Sequence, residues 1–140
     1  MYKYLNTILP ELVKETTAFF FNQKTGSFSK GTYALLEMYC ADKNCDCRRV
    51  FLNVVHEETK QFIVQIAFGW ESKEFYAKWF GCDEDYSCLE DMAGWEILQA
   101  PLGKKSVEMF ELLMSHLKND KDFIAKTKRH YQAFKKIINK

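Results

Sequence analysis

The chain has 140 residues, of which 47% are hydrophobic and 16% aromatic, and its formal net charge is +1 at pH 7. This length predicts a single domain over residues 1–140, and this composition supports a packed core, which excludes a disordered chain. The longest apolar runs, such as AFFF at 18–21, are too short to span a bilayer. Because the first residues lack the pattern of an export signal, we expect a cytoplasmic protein.

The first half of the chain predicts one helix followed by three strands. Apolar residues recur at helical spacing from Ile8 to Phe20, and Pro10 suits the first turn of a helix. Three runs typical of strands follow, which are TYALLEMY, VFLNVV and QFIVQIAF. The segment HEETK at 56–60 is short enough to close a hairpin, so the three runs predict an antiparallel meander.

The second half of the chain predicts mainly helices. Ser72, Ser106 and Asp120 are suitable N-caps for three of them, and the last helix carries an apolar stripe that includes His130. The acidic stretch at 81–103 predicts irregular or short helical structure. The predicted fold is therefore α+β, a small three-stranded antiparallel meander packed against N-terminal and C-terminal helices.

Three of the five cysteines fall within eight residues, at the predicted turn between the first two strands. In a reducing compartment, clustered thiols are more often metal ligands or catalytic groups than disulfides. Because a turn brings the ends of two strands together, Cys40, Cys45 and Cys47 predict a metal site, with zinc as the expected ion. The alternative is three ordinary free cysteines.

Zinc usually takes four protein ligands, and the sequence leaves the fourth one open. The candidates are His130 on the last helix and Cys82 or Cys88 in the acidic stretch. The alternative role for His130 is a buried, hydrogen-bonded core residue. If no side chain completes the shell, the open position would hold water and the site could be catalytic.

Two arginines follow the cysteines directly. A zinc ion held by three or four thiolates carries net negative charge, which a nearby guanidinium would stabilise through hydrogen bonds to sulfur. Adjacent strand residues point to opposite faces, so we expect one of Arg48 and Arg49 to serve the site and the other to face solvent or an acidic group. Asp42 and Asp46 are expected to orient ligands or face water, and His56 is expected to be too distant.

The segment YCADKNCDCRRVFLNVV is similar to the Y-C-x-D-x-x-C-D-C-R-R-V segment of a family of small uncharacterised bacterial proteins. FGWESKEFYAKW and KRHYQAFK resemble later segments of that family, so the resemblance covers roughly residues 30–138. It matches Cys40, Cys45 and Cys47 to the motif's thiols and His130 to a histidine of the closing segment. The resemblance implies His130 as the fourth ligand, and it implies no particular reaction.

The chain has no phosphate-binding glycine-rich loop, no H-E-x-x-H, no G-x-S-x-G and no C-x-x-C. We therefore predict a structural zinc-binding module that acts through protein interaction, rather than an enzyme. One alternative is a metal- or thiol-dependent enzyme with its site at the Cys40–Arg49 hairpin. Another is nucleic-acid binding through the lysine-rich last helix, which the near-zero net charge and the absence of a groove-reading motif disfavour. No membrane partner is expected.

Overall fold

The computed structural model describes residues 1–81 and 92–140 as an α+β fold with a six-stranded antiparallel sheet. The strands are β1 (Tyr2–Tyr4), β2 (Thr17–Phe21), β3 (Gly31–Cys40), β4 (Arg49–His56), β5 (Gln61–Gly69) and β6 (Gly94–Gln99). The helices described are α1 (Leu5–Ile8), α2 (Lys73–Phe80), α3 (Lys104–Leu117) and α4 (Lys121–Ile138), and a 3-10 helix spans Pro10–Glu15. Among these, no helix has the length and apolar character that a membrane crossing requires.

The three predicted strands form the centre of the sheet as β3, β4 and β5, which confirms the meander. The order along the sheet is β1-β3-β4-β5-β6, and β2 also pairs with β3. Tyr2 of β1 lies opposite Cys40, and Thr17 of β2 lies opposite Leu35, so two short strands share the outer edge of β3. The expectation of only three strands is therefore wrong.

The additional strands arise where helical or irregular structure was expected. The helix expected from Ile8 to Phe20 is wrong, because the chain makes one helical turn and a 3-10 helix and then turns into β2. The TAFFF segment of β2 is aromatic and follows Thr16, a composition that favours a strand once a partner edge is present. The end of the acidic stretch likewise forms β6, whose Trp95 stacks on Phe68 of β5 at a centroid distance of 4.2 Å.

One face of the sheet packs against α3 and α4. Tyr39 of β3 contacts the rings of Tyr131 and Phe134 on α4, which identifies the face that this helix covers. The apolar stripe expected on the last helix is confirmed, since five of its six members are buried and Ile138 is half-buried against the core: the five are Phe123, Thr127, His130, Tyr131 and Phe134. Burying a large apolar side chain contributes about 1.5–3 kcal/mol, so this interface is a main source of stability.

Two of the three expected N-caps are confirmed. The Ser72 hydroxyl accepts a hydrogen bond from the Phe75 amide at 3.1 Å, and an Asp120 carboxylate oxygen accepts one from the Phe123 amide at 3.0 Å. Ser106 is not a cap, because α3 begins two residues earlier. Its buried hydroxyl instead donates to a β5 carbonyl oxygen at 2.6 Å and so fixes α3 to the sheet.

Candidate metal centre

The loop between β3 and β4 brings three thiols together. Cys40 is the last residue of β3, and Cys45 and Cys47 lie in the loop that leads to β4. Their Sγ atoms all lie within 4.8 Å of one another, and the three thiols are free rather than paired in a disulfide. Among the described residues, these three cysteines are the one group of three or more His, Cys, Asp or Glu side chains close enough to hold a metal ion.

The loop reaches this arrangement through two residues with left-handed backbone. Asn44 has φ 65° and Arg48 has φ 50°. Asparagine tolerates this region well, whereas arginine adopts it at a cost that surrounding contacts must offset. For Arg48 those contacts are visible: its amide donates to the Tyr131 hydroxyl at 3.3 Å, and its carbonyl accepts from the Tyr76 hydroxyl at 2.8 Å.

Helix α4 holds the loop through the side chains of Tyr131 and Lys135. The Tyr131 hydroxyl donates to an Asp46 carboxylate oxygen at 2.7 Å. Lys135 is only 7% exposed, and its ammonium donates to the carbonyl oxygens of Cys40 at 3.0 Å and Asp42 at 2.8 Å. These bonds fix the backbone on both sides of the cysteines, so the protein itself positions the thiols.

A tyrosine from β1 contacts the cluster directly. The Tyr2 hydroxyl lies 3.5 Å from the Cys47 Sγ atom, and its ring stacks on Phe51 at a centroid distance of 3.7 Å. Burial is the main reason why the pKa of Tyr2 is raised, with a further contribution from Cys47. Tyr2 therefore keeps its proton and can donate it in a hydrogen bond to a thiolate, as groups behind metal ligands commonly do.

Burial also determines the protonation of the first thiol. It raises the pKa of Cys40, against the opposing effects of a backbone hydrogen bond at Asp42 and the charge of Lys135. A divalent cation reverses this preference, because a thiol that coordinates a metal is deprotonated outright. Cys40 is thus a protonated thiol that metal binding would convert to a thiolate.

The two arginines have different partners, and both pair with carboxylates. Arg48 pairs with Asp46 at 2.8 Å and its guanidinium lies over the Phe75 ring at 4.5 Å. Arg49 pairs with Glu96 of β6 at 2.7 Å, and its side chain is 13% exposed. Its Nε atom is buried and has no hydrogen-bond partner among the described residues.

His130 is not brought to the thiols. Its Nδ1 atom lies 2.8 Å from Glu37 Oε1 and its Nε2 atom lies 3.3 Å from Glu15 Oε1. Glu37 and Cys40 are three residues apart on β3, so their side chains point to opposite faces of the sheet. His130 therefore occupies the alternative role, a buried and hydrogen-bonded core histidine, and the geometry gives no support to its assignment as a ligand.

The other predicted residues have the following positions. Asp42 accepts from the Met1 ammonium through both carboxylate oxygens, at 3.0 and 2.9 Å, and from the Cys40 thiol at 3.6 Å. His56 lies at the opposite end of β4 from the loop, with Nδ1 2.7 Å from the Thr59 hydroxyl. Cys82 and Cys88 lie outside the described residues.

The thiols open onto a cleft of about 360 Å³. Among its other lining residues are the aromatic side chains of Trp79 and Phe80 on α2, which are 43% and 55% exposed. Arg49 and Asp42 supply its charged groups. The remaining lining residues are Tyr2, Phe51 and Met92. The cluster is therefore adjacent to a mainly apolar space large enough for a small molecule.

The sequence did not identify the residues that hold the loop. Tyr131 and Lys135 belong to the closing segment KRHYQAFK, where the histidine drew attention as a potential ligand. On α4 these residues follow His130 by one and five positions, so their side chains point about 100° and about 140° away from that of His130, and the orientation of the helix about its axis decides which of them meets the loop. The signal available in the sequence was the position of Lys135 four residues after Tyr131, which places both on one side of a helix.

Comparison with protein-family models, with curated proteins and with solved structures found no match to this chain.

Proposed function

We propose that this protein binds one zinc ion through Cys40, Cys45 and Cys47, and that the ion fixes the β3–β4 loop as part of a structural module. The observation that carries the proposal is the approach of the three Sγ atoms to within 4.8 Å of one another. In tetrahedral zinc sites with Zn–S bonds of about 2.3 Å, neighbouring sulfurs are about 3.8 Å apart. The loop therefore needs a contraction of about 1 Å or less to bind the ion.

The charges around the loop also favour a thiolate-bound cation. Three thiolates and Zn²⁺ together carry one negative charge. The buried Lys135 ammonium is bonded to carbonyl oxygens of this loop, and no ion pair within 4 Å joins it to a carboxylate of the described residues. Because a buried charge is costly unless it is compensated, a negatively charged metal centre beside Lys135 would stabilise both groups.

The experiment is the Cys45→Ser variant, analysed for zinc by elemental analysis and for stability by thermal melting. The wild-type protein should hold about one zinc per chain, and the variant should hold none and melt at a lower temperature. In model peptides, structural zinc contributes about 10–16 kcal/mol of apparent binding free energy, part of which appears as folding stability. Chelated wild-type protein should melt close to the variant, which separates loss of metal from loss of a side chain.

A Cys45→Ser protein that retains full zinc and melts normally would show that Cys45 is not a ligand. The variants Cys82→Ser and Cys88→Ser test the expectation that either of these residues completes the shell, and His130→Gln does the same for the histidine. If one of them loses zinc as completely as Cys45→Ser does, that residue is the fourth ligand. The expectation that the module acts through protein interaction stays a prediction.

A second candidate function, catalysis at the metal or at a free thiol, is favoured by the position of the thiols at an open cleft. The reaction of native thiols with a chromogenic disulfide, before and after chelation, separates the two. Three metal-bound thiolates should react slowly and become reactive once the metal is removed. A thiol that reacts quickly from the outset would favour the enzyme.

A further inference from the structure

The three thiols of the metal centre lie at a cleft that combines a cationic side chain with aromatic walls. We infer that the bound ion takes a small organic carboxylate as an additional ligand, with its carboxylate beside Arg49 and its apolar body against the aromatic residues of the cleft. This inference rests on the proposed metal binding. It adds to the proposed metal site a class of ligand, the small organic carboxylates, and a residue that selects the ligand, Arg49.

The coordination number leaves a position for such a ligand. Zinc is almost always four-coordinate in proteins, and a site with three protein ligands keeps its fourth position for water or substrate. The described residues bring three thiols together and no fourth side chain of ligand type into the same group. Because the thiols line the cleft, a molecule in the cleft can reach an ion that they hold.

Arg49 supplies the reason to expect an anion. One terminal nitrogen of its guanidinium donates to Glu96 at 2.7 Å, whereas the buried Nε–H has no acceptor in the described structure. Leaving a buried donor unsatisfied is unfavourable, and such groups are rare. A carboxylate has two oxygens, so one can coordinate the ion while the other accepts from the Arg49 guanidinium, since Arg49 lines the cleft. Water or a thiolate has a single atom with which to coordinate the ion and to accept the hydrogen bond from Arg49.

The cleft walls determine the rest of the ligand. Its volume of about 360 Å³ is at the lower end of the range for small-molecule pockets. Phe51, Trp79 and Phe80 present aromatic surface to it, and Met92 adds a flexible apolar side chain. Trp79 and Phe80 are exposed, so a bound apolar group would remove part of their surface from water. An aryl or short aliphatic body therefore suits the cleft better than a polar one.

The negative charge in the cleft does not oppose an anion. Asp42 lines the cleft, but both of its carboxylate oxygens accept from the Met1 ammonium. The Arg49–Glu96 pair is neutral as a unit, and the Lys135 ammonium offsets the single negative charge of zinc with three thiolates. The carboxylate would therefore enter a site that is close to neutral and contains one unsatisfied donor.

The experiment uses the full chain loaded with Co²⁺, whose visible absorption reports its ligands. Phenylacetate is the probe, with acetate as the same head without the body, and 2-phenylethanol as the same body without the charge. Phenylacetate should change the cobalt spectrum in a saturable manner. Acetate should need at least about tenfold higher concentration, which corresponds to about 1.4 kcal/mol. Phenylethanol should leave the spectrum unchanged.

The matched variants are Arg49→Met and Arg48→Met, which remove neighbouring guanidinium groups and leave no N–H donor in the side chain. Arg49→Met should bind Co²⁺ normally and bind phenylacetate at least about tenfold more weakly, because it loses the guanidinium donors. Arg48→Met should leave phenylacetate binding unchanged, since that guanidinium is already engaged by Asp46.

Three results would overturn the inference while leaving the proposed function intact. One is a cobalt spectrum typical of four sulfurs that does not respond to phenylacetate. Another is equal binding of phenylacetate by the two arginine variants. The third is a loss of Co²⁺ affinity in Arg49→Met that accounts for the whole loss of phenylacetate binding, which would assign Arg49 to the thiolates. Failure of the wild-type chain to bind Co²⁺ would refute the metal site itself.

Discussion

Replacing Lys135 with methionine removes the ammonium that ties the cysteine loop to α4. Methionine has a similar length and apolar character, so it can fill the space of the lysine stem. The change therefore isolates two hydrogen bonds, from Nζ to the Cys40 carbonyl at 3.0 Å and to the Asp42 carbonyl at 2.8 Å. Both carbonyl groups lie at the start of the loop that brings the thiols together.

The magnitude follows from these two bonds. Hydrogen bonds from a charged donor contribute about 1.5–3 kcal/mol each, and the lower value applies because the substitution also removes the cost of burying an ammonium. The expected loss is about 3 kcal/mol in the metal-free protein. The entropy of unfolding is about 2.1 cal/mol/K per residue, which gives about 0.3 kcal/mol/K for a chain of this length. Dividing the expected loss of about 3 kcal/mol by this entropy gives a fall in melting temperature of about 10 °C.

The assay is urea denaturation and thermal melting of chelated protein, with Lys136→Met as the control. Lys136 is the next residue on the same helix and is exposed, so its replacement should change stability by less than about 0.5 kcal/mol. The Lys135 variant should also bind zinc more weakly, because its loop must be ordered by the ion. If the two variants melt within 1 °C of each other, where about 10 °C is expected, Lys135 does not hold the loop.

Two further predictions concern α4 and the elements that it contacts. Arg129 is the main cause of the lowered pKa of Glu15, which falls from 4.5 to about 2. The stability that this ionised carboxylate adds is present above pH 4.5 and lost as the pH falls toward 2, so melting temperatures measured between pH 6 and 2 should fall less steeply for Glu15→Gln. An equal slope would contradict this role. Asp120→Ala removes the cap at the Phe123 amide and should cost about 1 kcal/mol in urea denaturation, whereas Asp122→Ala, without a capping bond, should cost less.

The cysteine site was predictable because it is local in sequence. Cys40, Cys45 and Cys47 are separated by few residues, and the strands on both sides have strong patterns, so any antiparallel pairing of those strands brings the thiols to one loop. The N-caps at Ser72 and Asp120 were predictable for the same reason, since a cap and its amide are three residues apart. The prediction of a cap at Ser106 was wrong because its hydroxyl has a long-range partner on β5.

The edge strands could not be predicted from their own residues. The segment around Phe19 has apolar residues at helical spacing and also aromatic residues that suit a strand. Pairing with β3 supplies the hydrogen bonds that decide between the two, and β5 does the same for β6. A short segment with mixed signals adopts the structure that its partner offers.

The sequence by itself determined which residues gather in the β3–β4 loop, because their spacing along the chain restricts where they can lie. Only the tertiary structure decided what surrounds them. On α4, His130 faces Glu37 across the buried side of the sheet, while Tyr131 and Lys135 reach the cysteine loop. Successive residues on a helix point about 100° apart, so the packing of α4 against the sheet, rather than any local pattern, assigns each side chain its partner.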